Sequence, residues 1–93
     1  MRKSRTDLTP ITPEDAFGRV LRERRLELGM TQAQLEEPGV IERSFISRLE
    51  AGHSQVCIRN IFYLAARLEM KPAELIERVD LLTKDNPPYQ HKK

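Results

Sequence analysis

The sequence has 93 residues, 39% of them hydrophobic, 32% charged and 5% aromatic. A chain of that size builds one small core; it is too apolar for full disorder and too polar for a membrane-embedded protein. Sixteen Lys and Arg against fourteen Asp and Glu leave a net charge of +2, a total that does not by itself argue for nucleic acid.

Residues 1–11 carry Arg2, Lys3 and Arg5, lack a hydrophobic period and lead into the Thr-Pro-Ile-Thr-Pro stretch of residues 9–13, the pattern of a flexible basic arm. The first helix starts with Thr12 as N-cap, Pro13 at the first helical position, and Glu14 and Asp15 in the first turn. Its apolar face runs Phe17, Val20, Leu21 and Leu28, and Gly29 is a left-handed stop. A second helix starts at once: Thr31 caps it, Gln34 returns the capping-box bond, and Met30 is placed to staple onto Leu35. Pro38 cuts this helix short and Gly39 permits a tight turn.

A third helix spans about residues 42–51 and ends before Gly52. At about 100° per residue, Phe45, Ile46 and Leu49 cluster on one side, while Arg43, Ser44, Ser47 and Arg48 share the other. The apolar side must turn inward, so the outward face reads Arg, Ser, Ser, Arg. Ile58, Ile61, Phe62, Ala65 and Leu68 give a fourth amphipathic helix. Lys71-Pro72 starts a fifth over about 72–83, with Leu75, Ile76, Val79 and Leu82 on one side. Asn86-Pro87-Pro88 terminates it, which leaves residues 84–93 as a tail. With no strand pattern and no repeat, the expected fold is all-α, with the helical domain over residues 12–83.

Two short helices joined by a tight turn on a helical scaffold make a helix-turn-helix, whose second helix enters the major groove of double-stranded DNA. Arg suits this task because its fork pairs with both acceptors of guanine. Serines are short enough to let the helix approach the base edges. The first turn of the second helix, at Gln32, would offer backbone amides to a phosphate. Charge alone does not select this reading: residues 17–56 hold Arg at 19, 22, 24, 25, 43 and 48 against Glu at 23, 27, 36, 37, 42 and 50.

Residues 17–75 resemble the Xre/Cro/C1, lambda-repressor-like helix-turn-helix family of small transcriptional regulators. The matching pieces are RERRLELGMTQAQL, RSFISRLEAG and NIFYLAARLEMKPAEL. The resemblance implies that Gln32 touches phosphate at the start of the second helix and that Arg43, Ser44, Ser47 and Arg48 face the groove. It also implies that His53 and Ser54 lie in a loop against the DNA backbone, and that Arg25 pairs structurally with Glu50. Five positions depart from the family pattern. Glu36 stands where Ala is usual, Glu42 replaces a short N-cap, Val56 replaces Pro and Glu69 replaces Gly. Val40 occupies the usual turn-glycine position, with the glycine one earlier at Gly39. A β-branched residue is a poor host for positive φ, so Gly39 is expected to take that role and to shift the recognition helix relative to the family.

The fifth helix runs past the usual family end. Leu75, Val79, Leu81 and Leu82 are expected to form an isologous dimer interface, and helix-turn-helix dimers read half-sites about 34 Å apart. The expected function is a homodimeric, sequence-specific transcriptional regulator, a repressor on a palindromic operator. The alternative is a protein-interaction module such as an antitoxin. An enzyme is not expected, because the sequence has no phosphate loop, metal-ligand spacing or nucleophile–base pair. One Cys (Cys57) with His53 and His91 gives neither a disulfide framework nor a zinc site, and fits a cytoplasmic protein without cofactor. No small-molecule ligand or membrane partner is evident: no apolar run approaches the roughly 20 residues of a bilayer span, and no apolar segment follows the basic N-terminus as in a signal peptide.

Overall fold

The computed structural model describes residues 11–84; the expected arm at residues 1–10 and the tail at 85–93 lie outside them. The described residues form α1 (Pro13–Glu27), α2 (Gln32–Leu35), α3 (Arg43–Glu50), α4 (Ile58–Arg67) and α5 (Pro72–Lys84). Among them no strand forms beyond one isolated antiparallel bridge between Glu37 and Ile41. No helix there is long and apolar enough to cross a membrane.

The local signals read from the sequence set the helix ends. Thr12 Oγ1 accepts from Asp15 N–H at 3.0 Å. At the start of α2, Thr31 Oγ1 accepts from Gln34 N–H at 3.2 Å while Gln34 Oε1 accepts from Thr31 N–H at 2.7 Å, a complete capping box. Helices α1, α3 and α4 each end in a paired main-chain closure, with N–H groups of the two residues past the cap returning to carbonyls of the last turn. The left-handed residue in these closures is Gly29 after α1 and Gly52 after α3. After α4 it is Glu69, at φ 58°.

Helix α1 packs against α3 and α5, α2 against α3, and α4 against α5. Leu21, Leu35, Ile46, Leu49, Leu64, Leu68 and Leu75 are fully buried between them, each a gain of about 1.5–3 kcal/mol in transfer terms. Gly18 is what lets α1 cross α3 closely, since a Cβ there would overlap the carbonyl oxygens of Leu49 and Glu50.

Three expectations need correction. Ile11, assigned to the flexible arm, is 2% exposed and belongs to the core, so the apolar packing starts one residue before the helix cap. Ile58 and Phe62, assigned to the core face of α4, are 69% and 60% exposed; Ala65 and Leu68 of that face are buried as expected, Ile61 packs partly against the core, and Leu64 joins them. Leu75, assigned to a dimer interface, is completely buried within the monomer. Val79 and Leu82 are half-buried against the same core. The fifth helix is part of the scaffold, and of the four residues expected at a dimer interface only Leu81 stays largely exposed.

Candidate nucleic-acid interface

The turn between α2 and α3 fixes how the third helix is presented. Val40 N–H donates to Glu37 O at 2.9 Å, Ile41 N–H donates to the same carbonyl at 2.9 Å, and Glu37 N–H donates to Ile41 O at 2.9 Å. Gly39 follows Pro38 at φ 82°, the order of a type II turn with proline second and glycine third. Gly39, not Val40, therefore carries the left-handed conformation, and α2 stops after four residues.

A helix that short leaves its last carbonyls without internal partners. Side chains of α4 supply them: Tyr63 donates its hydroxyl to Leu35 O at 3.0 Å, and Arg67 donates to Gln34 O. The Arg67 guanidinium also lies over the Tyr63 ring, 5.8 Å from its centroid. Burial, the largest influence, raises the Tyr63 phenol above its ordinary value; nearby Arg67 opposes this and Glu37 adds to it.

Helix α3 places Ile46 and Leu49 in the core and Phe45 half-buried beside it. Arg43, Ser44, Ser47 and Arg48 are all exposed on the outward side, the face given by the 3.6-residue period. Glu42 makes no side-chain cap bond. The substitute comes from across the turn, where the Glu36 carboxylate accepts from Arg43 N–H at 3.1 Å. Two departures from the family pattern, Glu36 and Glu42, thus compensate each other.

The far end of α3 is anchored by charge. Arg25 Nε and Nη2 donate to Glu50 at 2.6 and 2.9 Å, and Arg25 Nη1 donates to Met30 O at 2.8 Å. The pair is buried, with side chains 8% and 4% exposed. The Glu50 hydrogen bond, opposed in part by desolvation, raises the Arg25 guanidinium above its usual value. Gln32 Nε2 donates to Glu50 Oε1 at 3.0 Å. The side chain expected on phosphate is therefore engaged in the anchor that joins α1, α2 and α3. Its backbone N–H remains at the first turn of α2.

Arg48 is held on two sides. Its Nε donates to Ser54 Oγ at 3.2 Å, and its guanidinium lies over the Phe45 ring, 5.4 Å from the centroid. His53 is exposed in the same loop and Ser54 is half-buried. Sequence reasoning did not find the Ser54 and Phe45 contacts with Arg48, nor the capping roles of Glu36, Tyr63 and Arg67. The spacing of Phe45 and Arg48, three residues apart on one helix, was a signal for their contact, and the departure of Glu36 from the family pattern was one for its cap. Among the described residues no group of His, Cys, Asp or Glu is placed to hold a metal ion.

The helix-turn-helix family profile matches residues 21–75. Among solved structures, the chain is similar to the restriction-modification controller protein C.AhdI from Aeromonas hydrophila. The identity is 35%, over 67% of this chain and 94% of that one, with a TM-score of 0.62. It also shares its fold with the clp gene regulator ClgR from Corynebacterium glutamicum. There the identity is 22%, over 78% of each chain, with a TM-score of 0.72. No curated protein sequence matches the chain. The profile spans more than half of the sequence, and the chain belongs to the Xre/Cro/C1-type helix-turn-helix family of DNA-binding transcriptional regulators.

Proposed function

We propose that the protein is a repressor that binds a palindromic operator as a homodimer, with α3 in the major groove and operator occupancy excluding polymerase. The observation that carries this reading is the outward face of α3. Arg43, Ser44, Ser47 and Arg48 are exposed together, on a helix fixed at one end by Glu36 and at the other by Arg25, Gln32 and Glu50. A rigid helix with two exposed guanidinium groups suits bidentate reading of guanine. Gln32 N–H and the loop at His53 and Ser54 flank this face, where the DNA backbone would run.

The dimer surface is placed on α4 in this reading. Ile58 and Phe62 lie one turn apart and are the most exposed large apolar side chains described. Residues 51–57 connect α3 to this helix, and a dimer reading one face of DNA needs its two recognition helices about 34 Å apart. Phe62→Lys is expected to yield a folded monomer by sedimentation, with helical circular dichroism unchanged. An unaltered dimer would remove α4 from the interface.

A second reading concerns the sign of regulation. The 35% identity to C.AhdI, across 94% of that restriction-modification controller protein, favours a controller role, for which activation is the alternative to repression. A reporter placed behind the operator separates the two by the direction of its response.

Selection of bound duplexes from a random pool, at near-physiological salt with competitor DNA, tests the common core of both readings. A two-fold-symmetric motif with half-sites about one helical turn apart is expected. Recovery of no motif, or of salt-sensitive binding without preference, would contradict it and favour a protein-binding role such as that of an antitoxin.

A further inference from the structure

We propose that Ser54 is a positioning residue for base reading by Arg48, rather than a phosphate contact: it fixes the guanidinium so that the end-on pair of Nη nitrogens meets guanine. The proposal rests on the reading of α3 as the base-reading helix.

An arginine at the edge of a recognition helix ordinarily samples many rotamers, and ordering it costs free energy at the moment of binding. Here the side chain is already ordered by two neighbours of different chemistry. Ser54 Oγ accepts from Nε at 3.2 Å, which occupies the side-on donor of the fork. The Phe45 ring supports the guanidinium plane from 5.4 Å, and Phe45 is itself fixed by packing against the core. Neither Nη nitrogen of Arg48 takes a hydrogen-bond partner among the described residues. The end-on pair therefore remains for a ligand with two adjacent acceptors, and guanine O6 and N7 are such a pair in the major groove. Ser54 is well placed to hold this pose because the α3 closure, His53 N–H on Arg48 O at 2.9 Å, fixes the loop against the residue it orients.

The positioning and phosphate roles differ in what they do to sequence preference. A phosphate contact strengthens binding to every sequence alike, whereas a positioning contact acts only where Arg48 meets its base. The test measures dissociation constants of the full chain for the selected operator and for a duplex with the Arg48-dependent guanine replaced by adenine. The proteins compared are wild type, Ser54→Ala, Ser54→Thr, Arg48→Ala and the Ser54→Ala/Arg48→Ala double variant. Ser54→Ala is expected to reduce the guanine preference roughly fivefold, with the salt slope unchanged because no charge is lost. Ser54→Thr, which keeps the hydroxyl, should restore the preference. In the Arg48→Ala background, removal of Ser54 should have no further effect. Equal weakening on both duplexes would overturn the proposal in favour of a phosphate contact, and so would an intact preference in Ser54→Ala beside a relaxed one in Arg48→Ala. Failure of the underlying reading has its own signature: Arg48→Ala would itself leave the preference intact at every position.

Discussion

The Glu36 carboxylate accepts a hydrogen bond from the backbone N–H of Arg43 at 3.1 Å, so α3 is capped by a residue on the far side of the turn that precedes it. The bond joins the end of α2 to the start of α3 across the Pro38-Gly39 turn. It satisfies a first-turn donor that Glu42 leaves unmet, and it places negative charge at a helix N-terminus, where the helix dipole favours it.

Glu36→Ala is expected to destabilise the fold by about 1 kcal/mol, the usual loss for a helix cap. Glu36→Gln, which keeps an acceptor oxygen, should recover most of that. Urea unfolding monitored by circular dichroism measures both. Equal stability of all three proteins would show that the bond contributes nothing.

The Arg25–Glu50 pair gives a second expectation. Removing one partner leaves a buried charge alone, so Glu50→Leu is expected to cost about 3 kcal/mol. Arg25→Met combined with Glu50→Leu should cost less than Glu50→Leu alone, because no charge is then stranded. Additive losses in the double-mutant cycle would mean that the two side chains act independently.

At Glu69 a side chain occupies a left-handed conformation at φ 58°, between the end of α4 and the start of α5. Glycine adopts this conformation without the steric cost. Glu69→Gly is therefore expected to raise stability by about 0.5–1 kcal/mol, against the usual trend that glycine destabilises. A lowered unfolding midpoint in urea would contradict the strain.

Alkaline pH should loosen the α2–α4 contact. Burial raises the Tyr63 phenol in the folded chain, so the native state keeps a proton that the unfolded chain loses near pH of about 10. The resulting stabilisation is present below that pH and drains away as pH rises through the native value. The phenolate could no longer donate to Leu35 O. Wild-type stability should fall more steeply at high pH than that of Tyr63→Phe, measured by urea unfolding across the alkaline range. Parallel slopes would contradict this.

Much of the architecture was legible because it is written in local chemistry. Thr12 and the Thr31/Gln34 pair mark helix starts, Gly39 is the one residue of the turn suited to positive φ, and the period of α3 separates Ile46 and Leu49 from Arg43 and Arg48. What failed were choices between faces. Helix α4 is apolar on several sides, with Ile58, Ile61, Phe62, Leu64 and Leu68, so periodicity did not say which side meets α5. The expectation that Leu75 lies at a dimer interface fails because its burial depends on where α1 and α4 pack against α5. The Glu36–Arg43 bond was visible only as the separate departures at Glu36 and Glu42, since the reach of Glu36 to the Arg43 N–H depends on the three-dimensional path of the turn. The same holds for Ser54, whose bond to Arg48 requires the loop to fold back on the helix.

The most direct test of α3 as the base-reading element is methylation interference on the selected operator. Methylation of guanine N7 blocks an arginine fork in the major groove. We expect interference at symmetric guanines in both half-sites, with the signal at one pair lost in Arg48→Ala while the others persist. Interference confined to adenine N3 in the minor groove, or a guanine pattern unchanged in both Arg43→Ala and Arg48→Ala, would contradict the assignment of α3 to the major groove.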